Sequence, residues 1–137
     1  MRRAPPALCL SLFLASGDAL ANGRFPLANQ LLVDPADASH IAVRTTFGML
    51  VSGDATTFRW LCEAGIGYGG NQDPGIGIFG NGAIAVAAFE GFPISQDGGC
   101  NFAFAGGDLE PQYVVDPAVE PGSPLRGVAV TSVKVKA

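Results

Sequence analysis

Charge is scarce in this chain. Only 15% of its 137 residues are Asp, Glu, Lys or Arg, and eight basic residues face twelve acidic ones, for a net charge of −4. A surface that grips nucleic acid clusters Lys and Arg against phosphate, and this balance argues against one. The chain has one histidine, His40, three cysteines, one tryptophan and two tyrosines. So few candidate ligands, at no metal-ligand spacing, leave no basis for a zinc site, and no nucleophile sits beside His40 for a Ser-His-Asp mechanism. No apolar run approaches the roughly 20 residues that cross a bilayer as a helix. Apolar residues at helical spacing for three turns are also missing after residue 21. Glycine and proline are plentiful instead, at 19 and 10 residues, a composition that disfavours long helices.

The N-terminus reads as an address. Arg2 and Arg3 precede an apolar run over residues 7–15, and Ala19-Leu20-Ala21 follows as an A-x-A cleavage site, the pattern of a secretory signal at 1–21. Cleavage after Ala21 would start the exported chain at Asn22 and place it in the periplasm or outside the cell. It would also remove Arg2, Arg3 and Asp18, leaving six basic and eleven acidic residues. The two cysteines that remain, Cys62 and Cys100, would meet an oxidising compartment, where an even pair is read first as a disulfide, with two separate buried thiols as the alternative.

Two segments repeat 43 residues apart: Gly48-Met-Leu-Val-Ser52-Gly-Asp54 with Trp60, and Gly91-Phe-Pro-Ile-Ser95-Gln-Asp97-Gly-Gly99-Cys-Asn-Phe102. Self-similarity at such a period marks solenoids, propellers or arrays. Asp34-Pro35, Asp73-Pro74 and Asp116-Pro117 form a second marker, and Asp-Pro opens turns. Together they divide the chain into a leading strand at 22–33, repeats at 34–72 and 73–115, and an unfinished repeat at 116–137. Short β-rich runs fill the units, at 30–33, 41–45, 48–51, 58–62, 75–79, 83–89, 92–94 and 101–104. Asn81-Gly82 between two of them predicts a two-residue type I′ hairpin. Four short antiparallel strands per unit of about 40 residues is the arithmetic of a propeller blade, so the expected fold is all-β, about two and a half blades of an incomplete β-propeller.

The second segment resembles the BNR or Asp-box repeat, S-x-D-x-G-x-x-W, of sialidase-like, sortilin-like and photosystem-assembly-factor-like propellers, with Phe102 where tryptophan is usual. The first is looser, with Thr56 in place of the glycine and Trp60 one residue late. The resemblance implies a structural role for Ser52, Asp54, Trp60, Ser95, Asp97, Gly99 and Phe102: serine and aspartate hold the turn between the last two strands and the aromatic packs into the sheet. It also raises the alternative of a remnant carbohydrate-active hydrolase, for which Arg24, Arg44, Arg59 and Arg126 with Tyr68 and Tyr113 supply residue types without the assembled set.

Two G-x-G-x-x-G matches, at 65–70 and 75–80, lack the strand and helix that dinucleotide binding needs and read as tight loops. Asp- and Gly-rich turns at 96–99 and 107–110 have no calcium-loop spacing and read as solvated turns. The expectation is therefore a binding or scaffold protein without catalytic residues, cofactor or metal, a truncated copy of a longer kind. Its partner would be a protein or a carbohydrate. Residues 63–73 with Tyr68 form the candidate contact loop, and open strand edges offer a route to self-association.

Overall fold

The computed structural model describes residues 24–110 and 112–133, so the signal segment and its Ala19–Ala21 cleavage site lie outside the described residues. Ten strands form three antiparallel sheets in chain order. The first joins β1 (Ala28–Val33), β2 (Ile41–Thr45), β3 (Gly48–Ser52) and β4 (Arg59–Leu61) as a simple meander. The second repeats that order with β5 (Ile76–Ile78), β6 (Ile84–Val86), β7 (Pro93–Ser95) and β8 (Ala103–Phe104). The third is a ribbon of β9 (Gln112–Val119) and β10 (Gly127–Val133). No sheet closes on itself. The only α-helix among the described residues is one turn, α1 (Glu63–Ile66), ended by Gly67 in the left-handed conformation at φ 111°. Each of the eight expected β-rich runs overlaps one strand.

The strands fall where turn chemistry breaks the apolar runs. Thr45 turns the β2–β3 hairpin by donating its hydroxyl to the Gly48 carbonyl and accepting the Phe47 N–H. The Asn81-Gly82 hairpin departs from the type I′ expectation. Only Gly82 has positive φ, at 78°, and its N–H donates to the Phe79 carbonyl. The Asn81 side chain accepts the Ala83 N–H instead of taking a left-handed backbone. A tight turn followed by one left-handed glycine is the three-residue solution to the same problem.

The three sheets share one register. Ile41 pairs with Ser52 in the first, and Ile84 pairs with Ser95 in the second. Leu31-Leu32-Val33 against Ile41-Ala42-Val43 corresponds to Ile76-Gly77-Ile78 against Ile84-Ala85-Val86, and to Pro117-Ala118-Val119 against Gly127-Val128-Ala129. The 43-residue period holds at Ile41, Ile84 and Gly127, as it does at the two boxes. The Asp-Pro pairs do not follow it. Asp34-Pro35 succeeds β1, Asp73-Pro74 precedes β5 and Asp116-Pro117 lies inside β9, so they mark three different places. The strand at 28–33 belongs to the first sheet rather than standing ahead of it.

Sheet two has both faces buried. Ile76, Ile78, Ile84 and Val86 pack against Ala42, Met49 and Val51 of sheet one, with Ile66 and Tyr68 at the edge of the same cluster. Ala85, Ala87 and Phe92 form the other cluster with Val114 of the ribbon. The six residues 83–88 are therefore apolar without a break, the pattern of a strand covered on both sides. Between sheets the Gln30 side chain acts as a strand fragment: its amide donates to the Ile76 carbonyl and accepts the Ile76 N–H, both at 3.1 Å. It caps the edge of β5 that faces away from β6, where a bare row of backbone groups would recruit another chain.

Truncating Ile84, 2% exposed at the centre of the first cluster, to alanine is expected to cost about 2–5 kcal/mol in chemical denaturation. The same truncation at Leu125, 66% exposed, should change stability by less than about 0.5 kcal/mol.

Candidate functional site

The two Ser-x-Asp boxes occupy the same turn of their sheets, between the third and fourth strands. In the first, Ser52 donates its hydroxyl to Asp54 Oδ1, which also accepts the backbone N–H groups of Thr56 at 2.8 Å and Thr57 at 2.6 Å. In the second, Ser95, fully buried, donates to Asp97 Oδ1 at 2.7 Å and accepts the Gly99 N–H at 2.8 Å. Asp97 takes the N–H groups of Cys100 and Asn101 on Oδ1 and the Asn101 amide on Oδ2. Donors gathered around an ionised carboxylate favour its charged form. The Asp54 carboxyl is accordingly held well below the usual range, chiefly by the Thr57 and Thr56 N–H groups. Asp97 is lowered likewise, first by the Asn101 side chain and then by its N–H and the Ser95 hydroxyl. In both boxes the carboxylate Oδ1 is spent on the turn itself.

The aromatic positions differ from the sequence expectation. Val51 pairs with Arg59, whereas its counterpart Ile94 pairs with Ala103, so the first turn is one residue shorter and Trp60 corresponds to Phe104 rather than to Phe102. Phe102 packs against the first core cluster as expected. Trp60 does not pack into a core: it is 57% exposed on the outer face of sheet one, where its indole N–H donates to the Phe47 carbonyl. Both fourth-strand aromatics cover the glycine that opens the third strand. A Cβ at Gly48 would meet the Trp60 indole nitrogen at 3.1 Å, and one at Gly91 would meet the Phe104 ring at 3.0 Å. The repeated glycines, with φ of 117° and 150°, were visible in the sequence, but their aromatic partners were misaligned by the shorter turn.

Cys62 and Cys100 are not bonded, and both are exposed rather than buried. Cys62 follows the fourth strand of its sheet, at the start of α1, while Cys100 precedes the fourth strand of the next, so the repeat does not place them on equivalent positions. Tyr68 is not a contact residue either. It is 4% exposed, and burial, reinforced by the nearby Glu63 and Asp73 charges, pushes its hydroxyl up to about 12. The rest of the 63–73 loop is pinned. Arg24 pairs with the Asp73 carboxylate and donates to the Gln72 carbonyl, and Gln72 donates to Glu90.

Three concave regions exceed 300 Å³ among the described residues. One, about 570 Å³, lies where β1, β5 and β9 run side by side, and is lined by Gln30, Leu32, Ile76, Ile78, Pro117, Glu120 and Pro121 among others. A second, about 490 Å³ and shallow, is lined by Arg24, Phe47, Trp60, Cys62, Glu63 and Asn71. The third, about 320 Å³, sits between the box turns and is lined by His40, Thr57, Arg59, Gly82 and Asp97. His40 there leans on Asp34, with Nδ1 3.5 Å from Oδ2. The Asp34 side chain is 1% exposed, and it accepts the Ala36 N–H and, across the sheets, the Gly82 N–H at 3.0 Å. Asp34 thus ties the β1–β2 loop to the β5–β6 hairpin. No nucleophile is hydrogen-bonded to His40 among the described residues, and no group of three metal-ligating side chains occurs among them. Arg59 donates to the Gly98 carbonyl at 3.1 Å. Chemically, the cleft between β1, β5 and β9 offers apolar walls with the Gln30 amide, which is bonded to Ile76, and the Glu120 carboxylate, which pairs with Arg126.

No family model matches this chain, and no curated protein or solved structure matches it.

A depressed folded-state carboxyl contributes stability that is complete above the unfolded value, about 3.9 for aspartate, and is lost as pH falls through the folded value. Both box turns should therefore hold at pH 4 and open only in stronger acid. A carbon-detected NMR titration is expected to give Asp54 and Asp97 midpoints well below that of an aspartate in a short peptide. Glycine substitutions separate backbone strain from packing. Gly98→Ala, at φ 68° with open space around the new methyl, should cost about 1–2 kcal/mol. Gly99→Ala, at φ 89° with Leu61 Cδ1 only 2.9 Å from the new methyl, should cost about 1–3 kcal/mol more in the same melts.

Proposed function

We propose that this chain is an exported, propeller-type binding or scaffold protein of the Asp-box kind, without catalytic activity of its own. The observation that carries the reading is the repeated unit: two four-stranded meanders in one register, each with its Ser-x-Asp box in the same turn. A propeller sets such sheets around a central channel. In this reading the sheets are blades, β9 and β10 open a third, and the cleft between β1, β5 and β9 takes the place of the channel. Apolar walls with a few placed polar groups suit a ligand-binding surface. The ligand class is a protein segment or a carbohydrate. Export rests on the signal pattern at 1–21.

The carbohydrate-hydrolase alternative draws no support from the arginines. Arg24 is engaged by Asp73, Arg44 by the Asp73 and Pro74 carbonyls, Arg59 by Gly98 and Arg126 by Glu120. A substrate carboxylate would have to displace these partners.

A ligand-observed NMR screen of short peptides and oligosaccharides against the folded chain tests the reading. Binding should be lost in Pro121→Trp, which fills the cleft from an exposed turn, while the melting temperature is retained. Compounds that bind both forms equally, or none that bind, would remove the cleft as the ligand site. Turnover of a fluorogenic glycoside that Arg44→Ala abolishes would overturn the non-catalytic assignment. Expression in a bacterial host should yield periplasmic chain beginning at Asn22.

A further inference from the structure

Sheets one and two can be compared position by position, and the comparison leaves one surface unaccounted for. In sheet two the face made by Ile76, Ile78, Ile84 and Val86 is 1–5% exposed, because sheet one covers it. The same register positions in sheet one are Leu31, Val33, Ile41 and Val43, again aliphatic at every place. The described residues leave this face largely open: Leu31 is 63% exposed and Val33 43%, with Ile41 and Val43 only partly buried. This face is a socket of the kind that sheet two fills with its neighbour.

The opposite end of the stack carries the matching part. The row that sheet one turns toward sheet two is Leu32-Ala42-Val51, and the row that sheet two turns toward the ribbon is Gly77-Ala85-Ile94. In the ribbon the same row is Ala118-Val128, small and apolar, with Val128 71% exposed. Val130, 61% exposed, extends it opposite Asp116. The socket spans β1 and β2, the first two strands of sheet one, and the ribbon has two strands. An exposed apolar surface at each end, built to the pattern of two interfaces the chain already makes, is an association site.

We infer that copies of this chain associate head to tail, the outer face of the β9–β10 ribbon of one copy seating on the β1–β2 face of the next. The contact continues the stacking of sheet one on sheet two and of sheet two on the ribbon, through sheet faces rather than strand edges. Two unlike surfaces make the interface heterologous, so repetition gives a ring if the rotation closes and an open chain if it does not. Val33 and Ala118 also border the cleft, whereas Leu31 and Val128 do not, so charging those two tests the contact separately from the binding role.

Sedimentation velocity on two variants decides the matter. Leu31→Glu charges the socket and Val128→Glu charges the ribbon, both at positions already exposed, and unchanged thermal melts verify that each variant folds. Each alone should run at monomer mass, because each lacks one half of the contact. Mixed in equal amounts they should form a complex of two chains, joining the intact socket of one to the intact ribbon of the other. A mixture that stays at monomer mass overturns the inference, whether the socket is covered by residues 1–23, by another protein or by water. Self-association of Val128→Glu alone also overturns it, since that would mean socket against socket. Should either variant fail to fold, Leu31→Lys and Val130→Glu repeat the same test.

Discussion

Ile84 and Val86 point to one side of the second sheet and Ala85 and Ala87 to the other, and all four are withdrawn from water. A sheet made this way cannot stand alone, because neither face tolerates solvent. The first sheet and the ribbon exist on the terms this sets: each turns an apolar side toward the second sheet and keeps its own register so that the rows meet. Methyl-sized residues, Ala42, Ala85 and Ala88, sit among the larger ones, each with no exposed surface, and let the layers approach closely. Side chains then join the layers: the Gln30 amide on Ile76, the Asp34 carboxylate on Gly82, and the Arg44 guanidinium on the Asp73 and Pro74 carbonyls.

The box turns answer a different requirement. Sheets of strands two to six residues long have few ladder bonds to hold their turns, and the turn after the third strand has none of its own. Ser52 with Asp54, and Ser95 with Asp97, supply the missing acceptors. Because the carboxylates are fully exposed yet surrounded by donors, they lose little hydration while fixing the backbone around them. The result is a rigid end to each sheet, with Arg59 donating from the last strand of one sheet to the box turn of the next.

Strand positions and box residues were legible because their signals are local: alternating apolar runs, glycine and asparagine at turns, and a serine and aspartate two residues apart. Layer order was less so. The Asp-Pro pairs repeat at nearly the box spacing yet occupy unrelated places, since Asp-Pro suits a strand end, a connecting loop and a bulged strand alike. Trp60 pairs in sequence with Phe102 only if the first turn is one residue longer than the second, whereas it is one residue shorter, which puts the match two strand positions off. Tyr68 looked like a loop residue by its glycine neighbours, but α1 and Gly67 turn it inward against Ile66 and the second sheet. Cys62 and Cys100 followed the boxes in sequence without sharing a strand position. Asp34 and Gln30, which do the joining, have no signature at all: their partners lie 48 and 46 residues away.

The meander order has a consequence for the path by which the chain folds. Within each four-stranded sheet every strand pairs with its sequence neighbour, so each ladder closes short loops only, at low contact order. The bonds that span more than forty residues are few and, apart from the Gly80 N–H on the Pro124 carbonyl, come from side chains. Hairpins can therefore assemble early and locally, while the slow search is left to the docking of finished layers. A sheet that has formed but not yet docked presents bare apolar faces on both sides, which makes the second sheet the species most in need of its neighbours during synthesis.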